Sequence, residues 1–192
     1  MGDKFSYLQA REPAYVFEIW CFMEFANALI ENGLRDVVQC SLLRAGDNAP
    51  IFQIADGLDV FYNFFGDRVK VTRRPKVFLR THVDWFIMNR PEPRKSIIVD
   101  TKYRDWASDE SLKVLGYMTD FDVDRAVIIY RGTVPKDAIK TDQPNDRFVV
   151  CRFADASQKL FCAMSLRPTE EDLEENSRVL KRLIDEVVLA GG

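Results

Sequence analysis

Three features of the chain predict an α/β (α+β) fold. A helical apolar segment lies near the N-terminus and another at the C-terminus. A series of β-branched and aromatic runs lies between them, with one further helical segment inserted among the strands. At 192 residues, 47% hydrophobic and 12% aromatic, the chain can build one well-buried core and is short for two, so a single domain spanning 1–192 is expected.

The first helix covers residues 13–31: Pro13 suits a first turn and Asn32-Gly33 is a stop. Runs at 36–43, 51–65 and 69–72 read as two or three antiparallel strands, broken by Gly46-Asp47-Asn48 and Gly66-Asp67. Residues 76–88 and 95–103 are stronger strands. Between them Asn89-Arg90-Pro91-Glu92-Pro93-Arg94, with two prolines that cannot donate to a ladder, predicts a hairpin loop. Ser108 caps a helix ending near Phe121, with Leu112, Leu115, Met118 and Phe121 on one stripe, and the strand Arg125–Tyr130 follows. After a polar loop at 132–146, strands are predicted at 148–153 and 160–166. Thr169 opens a last helix with Asp172 in the capping-box position and Leu173, Leu180, Leu183, Ile184 and Val187 on its buried face.

The net charge of -3 argues against a protein that coats nucleic acid by charge alone, so any such contact is expected on one surface. Cys21, Cys40, Cys151 and Cys162 show no CxxC spacing, which fits a reduced, cytoplasmic protein; with one histidine, no zinc site is expected. The N-terminus does not read as a signal peptide, and no apolar stretch reaches the length of a membrane span, so no membrane partner is expected.

Two strings, His82-Val83-Asp84 and Asp100-Thr101-Lys102, set charged groups inside apolar strands, where an unpaired charge costs several kcal/mol or more. Alternation puts Val77, Leu79, Val83, Trp85 and Ile87 on a core face and Arg80, His82 and Asp84 on the other; Ile98, Asp100 and Lys102 likewise share a face. Antiparallel pairing about Glu92 sets Asp84 opposite Asp100 and His82 opposite Lys102, near enough for both carboxylates to meet one cation. Glu18 adds a third acid from an otherwise apolar stripe of the first helix. A hard ion such as Mg²⁺ suits Asp84, Asp100 and the Thr101 backbone carbonyl, with Glu18 acting through bound water or on a second ion. Lys102 would orient the attacking water and offset charge on a phosphate. The competing reading is a buried Asp100 to Lys102 ion pair that only orders the sheet.

These motifs, Asp84, a following strand and Asp100-Thr101-Lys102, resemble the PD-(D/E)XK nuclease superfamily. With Tyr15-Val16-Phe17-Glu18-Ile19-Trp20 and Tyr103 they are similar more narrowly to McrC-like and RecB-like restriction nucleases, over residues 15–130. Val83 stands where a proline is usual. Lys113 replaces the glutamine of a Gln-x-x-x-Tyr motif whose tyrosine is Tyr117, and the cysteines lack the spacing of an iron-sulfur cluster, so none is expected. The resemblance implies a restriction-endonuclease-like mixed central β-sheet flanked by helices. It also implies an endonuclease dependent on Mg²⁺, with Mn²⁺ able to substitute, that hydrolyses DNA through a metal-activated water in restriction or phage defence. Glu18, Asp84, Asp100 and Lys102 are its expected catalytic residues. His82, Arg73, Arg74, Arg80, Arg104, Lys113 and Tyr117 are expected nucleic-acid contacts, although the basic run 68–80 reads equally as a solvated sheet edge. A protein partner in a defence complex is expected, and the need to cut two strands motivates a homodimer. The alternative function is an inactive nuclease-fold module serving as a binding or scaffold subunit; a phosphatase or small-nucleotide hydrolase would use the same metal logic.

Overall fold

The computed structural model describes residues 13–33, 51–54, 57–65, 82–104, 110–132, 147–152 and 159–189. Within them, helix α1 (Pro13–Glu31) precedes strands β1 (Phe52–Ile54), β2 (Leu58–Phe65), β3 (His82–Asn89) and β4 (Ile97–Lys102). Helix α2 (Glu110–Asp120), β5 (Arg125–Tyr130), β6 (Phe148–Arg152), β7 (Leu160–Ser165) and helix α3 (Leu173–Leu183) follow, and α3 runs on into a π turn at Ile184–Val188. The strands form one seven-stranded sheet in the order β1-β2-β3-β4-β5-β7-β6. It is mixed: β1 to β4 are antiparallel neighbours, β4, β5 and β7 run parallel, and β6 is antiparallel to β7. The parallel β4–β5 pair requires a crossover, which α2 provides.

Both faces of the sheet are covered, so the central strands are apolar throughout rather than alternating: Ile97, Ile98 and Val99 are all buried. One face carries Trp85, Ile87, Ile97 and Val99 beneath α1 and α3, and the other carries Phe86, Ile98 and Ile128 beneath α2. Strict alternation fails at Val83, which shares the parity of Trp85 but packs with Phe61 and Phe86 on the α2 side. The failure falls where β3 stops pairing with β4.

Gly57 turns β1 into β2 at φ +80, and a Cβ there would lie 3.0 Å from Pro91 Cδ. Its carbonyl accepts the Arg90 N–H, so the two loops lie against each other. Along α2 Val114 and Met118 are buried, as is Phe121 just past its end, whereas Leu112, expected on that stripe, is 71% exposed. Two residues advance a helix by about 200°, so Val114 facing the sheet turns Leu112 away from it.

At α3, Leu180, Leu183, Ile184 and Val187 are buried as their spacing predicts, but Leu173 is half exposed. The expected capping box is replaced by a side-chain pair. The Thr169 hydroxyl donates to Asp172 at 2.6 Å, Asp172 also takes Arg147 in an ion pair, and no side chain caps the helix. These two contacts hold the Asp172 carboxyl below its usual range. The strands expected at 36–43 and 69–72, the start of the one expected at 76–88, and the cap at Ser108 lie outside the described residues. Among the described residues no helix is long and apolar enough to cross a membrane.

Candidate active site

The hairpin of β3 and β4 pairs Ile87 with Ile97, Phe86 with Ile98 and Trp85 with Val99. The next step in that register sets Asp84 across from Asp100. Regular pairing ends there: beyond Val99, β4 keeps its parallel partner β5, with Asp100 beside Ile128, Thr101 beside Ile129 and Lys102 beside Tyr130. The strands stay joined through a side chain, because the Asp84 carboxylate accepts the Thr101 N–H at 2.6 Å and the Thr101 hydroxyl at 2.7 Å on one oxygen. A carboxylate thus takes the place of a strand carbonyl at the point where the two strands part.

Asp100 is 3% exposed and forms an ion pair with Lys102, whose ammonium also donates to the Thr101 carbonyl at 3.3 Å. The Asp100 oxygen facing Lys102 receives no directed hydrogen bond, so charge alone compensates it. Glu18 approaches from α1, its carboxyl pushed up to about 7 by burial first and then by the charges of Asp84 and Asp100. The Tyr62 hydroxyl and Lys102 act the other way, without cancelling the rise. Asp84 is raised by burial and by Asp100, against the two Thr101 donors and Lys102. Asp84 and Asp100 therefore both oppose the ionisation of Glu18, and Asp100 opposes that of Asp84, on top of the cost of burial.

From the other face, Lys113 on α2 comes within electrostatic reach of Asp100 and Asp84. Burial alone would lower its pKa. The Tyr117 hydroxyl and the two carboxylates more than offset that, and the net shift is upward. Its ammonium lies 5.3 Å from the centre of the Tyr117 ring. His82 is not in the expected pair: the β3–β4 ladder stops at Trp85, so no ladder pair joins His82 to Lys102, and the pair His82 does make is with Phe65 of β2, on the other edge of β3. Arg104 is exposed just past β4. Arg73, Arg74 and Arg80 lie outside the described residues.

Tyr62 was not legible as a site residue. It sits opposite Trp85 across β2 and β3, so its meeting with Glu18 depends on a strand pairing and on the docking of α1, neither of which is local in sequence. The Phe22 contacts with Tyr62 and Trp85, at 5.1 and 5.3 Å between ring centres, fix that docking.

Among the described residues no three Asp, Glu, His or Cys side chains converge as a ready-made ligand cage. The donors at hand are the Asp84 and Asp100 carboxylates and the Thr101 carbonyl, all hard oxygens of the kind a small divalent cation takes alongside water. An Asp100 oxygen lacking a hydrogen bond, and carboxyls raised by burial and by neighbouring acids, are what such an ion would relieve, so these residues fit one. Chemically, the arrangement offers an acidic cluster with one buried ammonium against it and a carboxyl able to exchange a proton near neutral pH.

No protein-family model matches the chain, and no curated protein matches it. Among solved structures it is similar to a chain in the refined half-complex from the tetradecameric assembly of Thermococcus gammatolerans McrB AAA+ hexamers with bound McrC. The identity is 14%, the TM-score is 0.42, and the match covers 68% of this chain and 30% of that one. The chain spans less than a third of that neighbour's length.

Proposed function

We propose that this chain is a Mg²⁺-dependent nuclease that hydrolyses phosphodiester bonds of DNA. The observation that carries the reading is the excess of acid over base: the charges of Asp84 and Asp100 both act on Glu18, Lys102 is the half-buried cation paired with Asp100, and Glu18 and Asp84 are raised by burial first and then by these neighbouring acids. A purely structural ion pair needs one carboxylate for one ammonium and leaves the other two acids unexplained.

In this reading Asp84, Asp100 and the Thr101 carbonyl hold the ion, and Thr101 fixes the Asp84 carboxylate through two hydrogen bonds. When bound, the ion supplies Lewis-acid stabilisation of the phosphoryl group and makes a coordinated water more acidic. Lys102, already against Asp100, offsets negative charge that develops on the phosphate. Glu18, with its carboxyl near neutrality, can accept a proton on a carboxylate oxygen during attack. The motif resemblance extends the proposal to a place in a restriction or defence assembly, and the need to cut two strands extends it to a homodimer, which sedimentation of the purified chain tests.

Plasmid cleavage with and without Mg²⁺, by the wild type and by Asp100→Asn and Lys102→Ala, tests the core of the proposal. Loss of cleavage in both variants is expected; equal cleavage by all three proteins sinks it. A second reading, an inactive module with this fold, is favoured by one observation: the Asp100 to Lys102 pair and the Asp84 to Thr101 bonds can each be satisfied without an ion. Calorimetry separates the two, since a folded protein that takes up neither Mn²⁺ nor Mg²⁺ is the inactive module.

A further inference from the structure

Two exposed cations flank the acidic cluster, one on each face of the sheet, and each is held by a tyrosine ring. Lys113 projects from α2 over Tyr117, in reach of Asp84 and Asp100. On the α1 side, Arg131 directly follows β5. Its N–H donates to the Lys102 carbonyl at 3.0 Å, and its guanidinium lies 4.5 Å from the centre of the Tyr103 ring. Tyr103, next to Lys102, is set in turn by an edge contact with Phe17 of α1, 5.7 Å between ring centres.

Several other described arginines meet acids: Arg90 with Asp59, Arg94 with Asp124 and Arg182 with Glu186. Among the described residues neither Lys113 nor Arg131 is in a carboxylate ion pair. A ring face positions a cation without neutralising it, so the charge remains available to an anion, and a stacked guanidinium keeps its in-plane donors directed outward. The acidic cluster between them would by itself repel a polyanion. A backbone crossing the sheet edge therefore needs positive charge on both sides of that cluster.

Resting on the nuclease reading above, we propose that Lys113 and Arg131 form a two-sided clamp on a polynucleotide, each gripping a backbone phosphate flanking the one presented to Asp84 and Asp100. Tyr117 and Tyr103 are positioning residues that aim the two cations.

The test is the affinity of the wild type, Lys113→Gln, Arg131→Gln and the double variant for a short fluorescein-labelled DNA duplex, followed by anisotropy over a range of salt without divalent ion. Arg178→Ala, on the exposed face of α3, serves as the control. Each single variant is expected to weaken binding about tenfold and to reduce the salt slope by about 0.9, with the double variant losing both contributions. Arg178→Ala should match the wild type. Unchanged affinity and slope in folded single variants overturn the clamp even if the wild type cleaves DNA, which leaves the nuclease reading standing. A wild type that binds with the expected slopes but never cleaves supports the clamp and removes the nuclease reading. A wild type that does not bind DNA overturns the clamp. Arg131→Lys gives an independent check: with charge kept and the stack weakened, the salt slope is retained and affinity falls only in part.

Discussion

The β3–β4 hairpin has two ends built on opposite principles. At the turn, polar groups are matched one to one: Ser96 Oγ accepts the Asn89 N–H, Asn89 Oδ1 accepts the Glu92 N–H, and Arg94 meets Asp124. At the open end two of the three neighbouring acids are raised, one half-buried lysine pairs with Asp100, and Asp84 substitutes for a strand carbonyl. The same two strands thus carry a satisfied end and an overcharged one. An end built for stability removes competing charges. An end that keeps them, against burial, is where a ligand can supply what is missing.

The largest effect expected from breaking this contrast is at Asp100. Asp100→Asn keeps the shape of the side chain but removes the charge that Lys102 pairs with and that, under the nuclease reading, a divalent ion would use. Mg²⁺-dependent cleavage should fall at least about a hundredfold. Lys102→Ala should be as severe for cleavage and should also cost stability, since it leaves Asp100 buried without its cation; breaking such a pair costs about 3 to 5 kcal/mol. Urea unfolding of the two variants beside their cleavage rates separates the chemical loss from the structural one.

Glu18 sharpens the comparison through pH. Its carboxyl is raised from 4.5 to about 7, so between those values the folded state holds a proton that the unfolded chain has released. Stability from this group therefore falls as pH rises through that window, and the full cost is present above about pH 7. Glu18→Gln should remove the cost, stabilising the protein at pH 8 by on the order of 1 kcal/mol, a figure reduced because the side chain is partly solvated. Near pH 4 the two proteins should unfold alike. Under the nuclease reading, adding Mg²⁺ at pH 8 narrows the difference, because the ion compensates the ionised carboxyl. An advantage that is the same at pH 4 and pH 8 contradicts the crowded-carboxylate account.

What was legible in the sequence follows the same division. The hairpin register could be read because Pro91 and Pro93 fix the loop, and Glu18 stood out because the helix around it is apolar. Local patterns also gave the buried face of α3 but not its start, where Thr169 bonds to Asp172 and Asp172 pairs with Arg147, distant in sequence and just before β6. The Leu112 expectation failed because helical spacing gives a stripe only relative to a chosen residue, and the sheet selected Val114. Tyr62, and the meeting of Arg131 with Tyr103, were hidden for another reason. Their neighbours are set by strand order, with β5 beside β4 and β2 beside β3, and no periodicity records that. His82 was misplaced because the register was extended past the point where the strands part.

At the turn end the effects should be smaller and confined to stability. Ser96 is fully buried, and Ser96→Ala leaves the Asn89 N–H without its partner, costing about 1 kcal/mol. Thermal unfolding measures that cost, while cleavage per folded molecule should stay at the wild-type rate. A loss of activity in Ser96→Ala beyond the unfolded fraction would couple the two ends and weaken the contrast between them.

The smallest effect is expected at Arg94, whose guanidinium meets Asp124 at 3.2 Å with much of the arginine in solvent. The loop is also fastened there by a backbone bond from the Asp124 N–H to the Arg94 carbonyl at 2.7 Å, which survives truncation of the side chain. Arg94→Ala should therefore cost no more than about 0.5 kcal/mol, and less as salt screens the pair. It should leave DNA affinity and its salt slope untouched, because Arg94 stands at the opposite end of the hairpin from the carboxylates. If Arg94→Ala instead lowered the slope as Lys113→Gln does, the polynucleotide would run along the hairpin to its turn rather than across the sheet edge at Asp84 and Asp100.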